Sequence, residues 1–278
     1  MSVQYKRGEI TTRLRNQVKD NRALLMFGAG TGLTAKCADL GGADLVAVYS
    51  TAIFRMMGLP TLLAWMPYED CNVCVKEMAQ EIIPVVKTAP CIAGIGAHNP
   101  AINLERLMDE MMALGFSGIT NEPFCGLYGE HFSKQLEAAG IGFPREAELI
   151  RTAHQKDIFT VAWAFDAEEA RIMAEAGADV IGAIVGVTSG GLTGAKEVMT
   201  LEKATEEVQK ICLAARSVNP EVFVLTHGGP FADAPTAQYS VAHSDADGYA
   251  SGSSGERMPT EQAVIAITKE YKSIKVSR

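Results

Sequence analysis

Apolar residues in this chain gather in short, nearly unbroken runs, and between the runs they recur every three or four positions. The runs at 23–27, 43–49, 91–95, 118–121, 159–163 and 179–185, with the starts of Val222–Pro230 and Gly248–Ser254, predict strands buried on both faces. The periodic segments at 8–20, 33–40, 72–86, 104–114, 129–156, 166–176, 201–216 and 259–271 predict helices, the fifth interrupted at Gly140–Pro144. Gly41-Gly42 is a helix stop, and Asp166 is a helix start.

Strand and helical pattern thus alternate through eight strands. That order predicts an α/β fold, a (β/α)8 TIM barrel, as a single domain over residues 1–278 with a short N-terminal helix before the first strand. Gly-Gly-Ala-Asp-Leu-Val at 41–46 returns as Ala-Gly-Ala-Asp-Val-Ile at 176–181, which suits two similar half-barrels. A doubly wound sheet is the alternative. Residues 50–70 are too many for a turn and are expected as a loop over the site. The glycine-rich 186–196 is expected as a loop that closes and excludes solvent.

The stretch Val222–Pro230, VFVLTHGGP, points to chemistry. A buried strand stops there in a histidine, two glycines and a proline, and Gly252-Ser253-Ser254 repeats the event after the next strand. Glycine-rich turns after the seventh and eighth strands of a barrel hold anions on backbone N–H groups. Gly228, Gly229, Gly252, Ser253 and Ser254 are therefore the expected cradle of a phosphate. Gly28 and Gly30, with Ser50 or Arg55, are the expected seat of a carboxylate. His227 and His98 each follow a strand on the same rim and are candidate acid–base groups, with Glu256 as an assistant. Glu122, after strand four, suits a base or a cation ligand, and equally an ion pair with Arg55 or Arg257. His131, His154 and His243 lie in helical stretches and read as surface or packing residues.

Composition narrows the partners. A net charge of −8 argues against binding nucleic acid or an anionic membrane, and it requires a locally positive pocket for any small anionic substrate. With 47% hydrophobic and 21% charged residues the chain can build a large soluble core. No apolar run reaches transmembrane length, and the polar N-terminus has no signal-peptide core. Six scattered cysteines read as reduced thiols of a cytoplasmic protein. Cys71-x-x-Cys74 has no second pair, so no metal site is assigned from local sequence. Gly28-x-Gly30-x-Gly32 is not followed by an acid closing strand two, which disfavours a dinucleotide site. The Met-rich helix at 104–114 carries more apolar surface than one barrel face needs, so a homo-oligomer is expected.

Several strand ends coincide with one family. They include Gly28-Ala-Gly-Thr-Gly-Leu-Thr-Ala-Lys36, Phe54-Arg55-Met56, Asn121 with Pro123, Thr188-Ser-Gly-Gly191, His227-Gly-Gly-Pro230, and Gly252-Ser-Ser254 with Glu256-Arg257. Over nearly the whole chain the sequence resembles the phosphoenolpyruvate hydrolase-like TIM-barrel family, related to the barrel domain of Tm-1-type proteins. The resemblance implies a hydrolase or lyase acting on a small phosphorylated or carboxylated metabolite resembling phosphoenolpyruvate, and it adds Asn121 to the substrate-binding set. The family is similar in architecture to the phosphoenolpyruvate mutase/isocitrate lyase group, which holds magnesium on carboxylates after its middle strands. Mg2+ is therefore the cofactor the resemblance implies, although strand three here ends in His98-Asn99, without a carboxylate pair. The alternatives are a non-catalytic ligand-binding or interaction barrel, by analogy with the plant relative, and a metal-assisted lyase working through Glu122.

Overall fold

A computed structural model describes residues 3–277. Helix α1 (Arg7–Lys19) precedes strand β1 (Leu24–Gly28), and α2 (Gly32–Leu40) follows it. Strand β2 (Leu45–Val48) leads to α3 (Ser50–Met56) and α4 (Cys71–Ile82), and β3 (Cys91–Gly94) leads to α5 (Leu104–Ala113). Strand β4 (Gly118–Thr120) leads to α6 (Gly129–Ala138) and α7 (Phe143–Gln155). Strands β5 (Phe159–Ala164), β6 (Val180–Ile184), β7 (Phe223–His227) and β8 (Gly248–Ser251) are followed by α8 (Ala167–Glu175), α9 (Leu201–Val218), α10 (Ala234–Ala242) and α11 (Arg257–Lys272). All eight strands are parallel and pair in sequence order. β8 closes onto β1 with Leu24 opposite Gly248, which makes the sheet the predicted barrel and not a doubly wound one.

The unbroken apolar runs have a simple cause. In β2, Leu45 and Ala47 point into the barrel with Met26, Ile92, Val161 and Leu225, while Val46 and Val48 face the helices with Val75 and Ile82. Both faces of each strand are dry, so alternation disappears from the sequence. Deep inside, Phe159 and Phe223 help plug the barrel, so chemistry is left to its mouth.

Aspartates at the other end perform one repeated task. Asp44 accepts the amide of Leu25 at 2.8 Å, Asp179 that of Thr160 at 3.1 Å, and Asp247 that of Val224 at 2.8 Å. Each carboxylate lies just before an even-numbered strand and ties it to the odd-numbered strand before it. The short sequence repeat at 41–46 and 176–181 is thus a hydrogen-bonding device, and Asp247 is a third instance with weaker sequence likeness. Asp179 also meets Arg7 at 3.0 Å, and Asp247 meets Arg216 at 2.8 Å.

Two expectations change. Residues 50–70 are not one loop: they begin with α3 and include a 3-10 turn at Thr61–Trp65. The Met-rich helix α5 spends its apolar face on its own barrel, with Leu107, Met108 and Met111 buried. The surplus apolar surface lies instead on α11, which is exposed from Gln262 onward and carries Val264, Ile267 and Tyr271 at helical spacing. Among the described residues no helix is long and apolar enough to cross a membrane.

Replacing Asp179 by Ala leaves the Thr160 amide and the Arg7 guanidinium without their shared partner. Urea denaturation should show a loss of about 2–4 kcal/mol. A loss near zero would mean that the carboxylate contributes nothing to closing the barrel.

Candidate active site

β2 runs directly into α3, with Tyr49 extended as its cap. Thr51 and Arg55 are one helical turn apart, so they share a face, and both line a cavity of ≈ 40 Å³ at the C-terminal mouth of the barrel. Arg55 is buried. Its Nε and Nη2 donate to one Glu256 oxygen at 3.2 and 3.1 Å, its Nη1 donates to Thr51 at 3.4 Å, and Nη2 also reaches the Gly28 carbonyl at 3.5 Å. The other Glu256 oxygen accepts the Gly30 amide at 2.6 Å and the Thr34 hydroxyl at 2.7 Å. Burial works against the charge of Arg55, and the carboxylate of Glu256 more than offsets it. Burial raises the Glu256 carboxyl, against the pull of Arg55, the Gly30 amide and Thr34.

Glu122 enters from the end of β4 and receives a hydrogen bond from the Thr51 hydroxyl. Burial pushes its pKa up to about 7, a rise that the Thr51 bond and the charge of Arg55 only partly oppose. His227 ends β7. Its Nδ1 lies 2.6 Å from the Ala250 carbonyl, so the proton sits on Nδ1 and the Nε2 lone pair is free. Burial lowers this imidazole to about 4, with Arg55 acting in the same direction, so it is neutral at pH 7. Tyr49 stands among these groups, and burial, then Glu122, raises its phenol well above the usual range.

Two close approaches make room for the rings. A Cβ on Gly28 would fall 2.0 Å from the Tyr49 hydroxyl, and one on Gly182 would fall 2.3 Å from Trp163. Trp163 packs against His227 at 4.9 Å between centroids, and its buried Nε1 has no acceptor among the described residues. Phe124 touches both Trp65 (5.1 Å) and Trp163 (6.0 Å), and Trp65 is pinned by its Nε1 on the Phe124 carbonyl at 2.6 Å. The cavity thus has a polar wall of Thr51, Arg55, Glu122 and His227 and an apolar wall of Trp65, Phe124 and Leu127.

Of the residues singled out in the sequence, the cavity wall brings together Arg55, Glu122, His227, Gly252 and Ser253, and Glu256 stands directly behind it. Others are placed elsewhere. His98 is half-buried beyond the end of β3, beside Asp70 and Arg145 and off the cavity wall. It does not share a rim with His227 because the chain runs on through Ile95-Gly96-Ala97 before reaching it. The Gly30 amide is taken by Glu256, and the Gly229 amide donates to the Gly186 carbonyl at 3.1 Å, beside Gly228. The Ser254 hydroxyl is within 2.6 Å of Tyr249 and 3.1 Å of Ser251. Ser50 is buried off the wall, its hydroxyl without a partner among the described residues, and Asn121 is committed to Glu146 (2.6 Å) and to the amide of Trp163 (2.8 Å). Neither ion pair considered for Glu122 forms, because Arg55 pairs with Glu256 and Arg257 with Glu261. Sequence reasoning missed Thr51, whose signal was its four-residue spacing from Arg55. It also missed Trp163 and Phe124, aromatic residues close to the ends of β5 and β4.

Comparison with known proteins agrees with the fold. A family model described as phosphoenolpyruvate hydrolase-like matches residues 9–274. The tomato (Solanum lycopersicum) ToMV susceptible protein tm-1(GCR26) is 39% identical over 270 residues, which cover 97% of this chain. The chain spans 36% of the length of that relative. A 2,3-dimethylmalate lyase, a member of the PEP mutase/isocitrate lyase superfamily, superposes with a TM-score of 0.61 at 16% identity, covering 97% of this chain and 88% of the other. A phosphonopyruvate hydrolase in complex with oxalate and Mg2+ superposes with a TM-score of 0.59 at 17% identity, covering 94% and 84%.

Arg55→Met strands Glu256 as a buried charge and should cost about 3–5 kcal/mol in thermal or urea unfolding. Adding Glu256→Gln should recover part of that loss, with a coupling of about 1–3 kcal/mol in the double-mutant cycle. Simple additivity of the two losses would show that the pair is not interacting.

Proposed function

The chain belongs to the phosphoenolpyruvate hydrolase-like family, and we propose that its barrel mouth is the active centre of a hydrolase or lyase acting on a small, carboxylate-bearing metabolite by acid–base catalysis. One observation carries this reading. A neutral histidine with a free Nε2 and a carboxyl titrating near neutrality line the same small cavity, beside a buried guanidinium. Groups whose environments push their pKa values apart are the usual acid and base of an active site. His227 takes a proton from the substrate or from water, and protonated Glu122 returns one to the leaving group. Thr51 holds Glu122 in place, and Arg55 receives the carboxylate. The first residues of the 186–196 loop, Gly186 to Thr188, border the cavity and exclude water from it.

Magnesium does not fit these donors. Mg2+ prefers near-octahedral oxygen coordination and usually keeps several waters. Both Glu256 oxygens are already engaged, Glu122 is neutral for much of the pH range, and a guanidinium stands beside them. Among the described residues no three His, Cys, Asp or Glu side chains converge on one point. Free thiols at all six cysteines support a reducing, cytoplasmic setting.

We also read the chain as a homo-oligomer whose interface covers α11. The helix exposes Val264, Ile267 and Tyr271, and the outer faces of β1 and β8 are left only half covered at Leu25, Phe27 and Tyr249. A second copy meets both needs at once, because each copy offers a bare helix and a bare stretch of barrel. Light scattering after size exclusion should report more than one chain, and Ile267→Asp with Tyr271→Asp should shift the protein to a monomer. A wild-type monomer at micromolar concentration would refute this reading.

For any substrate that turns over, kcat/KM should rise with pH through about 4, as His227 loses its proton. It should fall through about 7, as Glu122 ionises. His227→Ala should lower kcat by about 10²–10⁴. Full activity in that variant would leave the site without its base.

A further inference from the structure

We propose that this pocket takes a short monocarboxylic or 2-oxo acid with an apolar arm, held by Arg55 without a metal ion, and that it excludes phosphorylated acids. The inference rests on the barrel mouth being the substrate site, and it assigns the ligand class of that site. Its starting point is an inventory of charge and donors. Among the described residues Arg55 is the one cationic side chain on the cavity wall, and its charge is already met by Glu256 at 3.1 Å. A guanidinium has five N–H donors. The structure commits Nε, both hydrogens of Nη2 and one of Nη1, which leaves a single Nη1 hydrogen for a ligand. That nitrogen lies toward Gly252, itself on the cavity wall.

No other cation joins it. His227 is neutral and presents a lone pair, which repels a bare anionic oxygen. Two of the groups expected to cradle a phosphate are already used inside the protein, the Gly229 amide by Gly186 and the Ser254 hydroxyl by Tyr249, and the Gly30 amide of the expected carboxylate seat is used by Glu256, which leaves Gly252 and Ser253 on the wall with no charge of their own. Phosphate recognition draws on several charged or amide donors together. A phosphate ester bound here would bury two or three negative charges against one spent positive charge, which is strongly unfavourable.

A monocarboxylate meets the same wall differently. One oxygen takes the remaining Nη1 hydrogen, and the other shares the proton of Glu122. Binding therefore takes up a proton whenever Glu122 is ionised in the free protein. The rest of such a ligand faces Trp65, Phe124, Leu127 and Ile184, which offer dispersion contacts and no charge. Their closeness favours a methyl or short alkyl arm over a second carboxylate. Trp163 belongs to the same wall, and its buried Nε1 is a donor without an acceptor among the described residues that the neutral carbonyl oxygen of a 2-oxo acid would satisfy.

The test is a thermal-shift and calorimetric panel in EDTA, repeated with MgCl2, using propionate, pyruvate, 2-oxobutyrate, 2-oxoisovalerate, phosphoenolpyruvate and inorganic phosphate at millimolar concentration. The monocarboxylates should raise the melting temperature equally with and without Mg2+, and phosphoenolpyruvate and phosphate should not. Above about pH 7 wild-type affinity should fall by up to tenfold per pH unit, since an ionised Glu122 must first be protonated. Glu122→Gln should bind with little pH dependence and hold its affinity at pH 8.5. Stabilisation by phosphoenolpyruvate or phosphate, stabilisation that needs Mg2+, or no shift with any monocarboxylate overturns the proposal. The two readings fail separately. Turnover of phosphoenolpyruvate that is lost in His227→Ala would keep the enzyme and sink this ligand class. Tight monocarboxylate binding with no turnover of any panel member would do the reverse.

Discussion

Everything at the barrel mouth is arranged around one buried ion pair, Arg55 with Glu256. The pair joins α3, which follows β2, to the segment after β8, and through Gly30 and Thr34 it also holds the turn after β1. Three consecutive strand ends across the closure of the barrel are thus fixed by one carboxylate. Desolvating two charges is expensive and is repaid only if the remaining donors and acceptors are satisfied. Here they largely are: both Glu256 oxygens have partners, and Arg55 is left with one free hydrogen. Such an arrangement is a poor device for stability alone, since well-packed apolar residues often do as well. It is a good device for keeping a positive charge at a fixed point in a dry place. That fixed charge opposes ionisation of His227, and it only partly offsets the burial that keeps Glu122 protonated.

The two ends of the barrel divide the labour. Asp44, Asp179 and Asp247 at the N-terminal end each bond a strand amide, and two of them carry an arginine partner. These contacts close the sheet and touch no cavity at the mouth. At the C-terminal end, polar groups stay incompletely satisfied: among the described residues Trp163 Nε1 has no acceptor and His227 Nε2 has no partner. Unmade hydrogen bonds in a buried wall cost free energy, and their concentration at this end is what a binding site requires. The loop at 186–196 belongs to the same division. Leu192 donates its amide to Glu261 at 3.0 Å, and Arg257 reaches the Gly190 carbonyl at 3.2 Å, so the loop is clasped by the first turn of α11. Anything that fixes α11 also fixes the edge of this loop.

How much of this was legible in the sequence depends on how far each feature reaches along the chain. The strands were legible because burial on both faces leaves an apolar run that needs no knowledge of partners. α3 was not: Gly58 and Pro60 punctuate residues 50–70, and their turn signal masked about two turns of helix before them. The start of α10 was likewise hidden, although His243 at its end reads as helical, because Ala234-Pro235 reads as a loop while Asp233 caps the helix by bonding the Thr236 amide. Within the site, Arg55, Glu122 and His227 were found because each lies close after a strand end. Their pairings were not, since Glu256 is 201 residues from Arg55 and Glu122 is 71 from Thr51. The glycines after β7 illustrate the limit most clearly. Gly228 and Gly229 do adopt positive φ, as a tight anion-binding turn would require, but the Gly186 carbonyl receives the Gly229 amide. Conformation was local and readable, while occupancy of the N–H groups was decided by a loop forty residues away.

This distinction bears on what the fold can say about chemistry. The two solved barrels compared above share only 16–17% identity with this chain, so what they share with it is architecture. Substrate charge is set by something topology does not carry, namely how many cationic donors remain after the protein has satisfied itself. A barrel that lines its mouth with several free cations accepts multiply charged acids. One that spends its single guanidinium on a glutamate, keeps its histidine neutral and faces them with Trp65, Phe124 and Leu127 has little charge left to offer. Counting uncommitted donors is therefore the stricter guide to this pocket, because it depends on hydrogen bonds made by named atoms and not on likeness of shape.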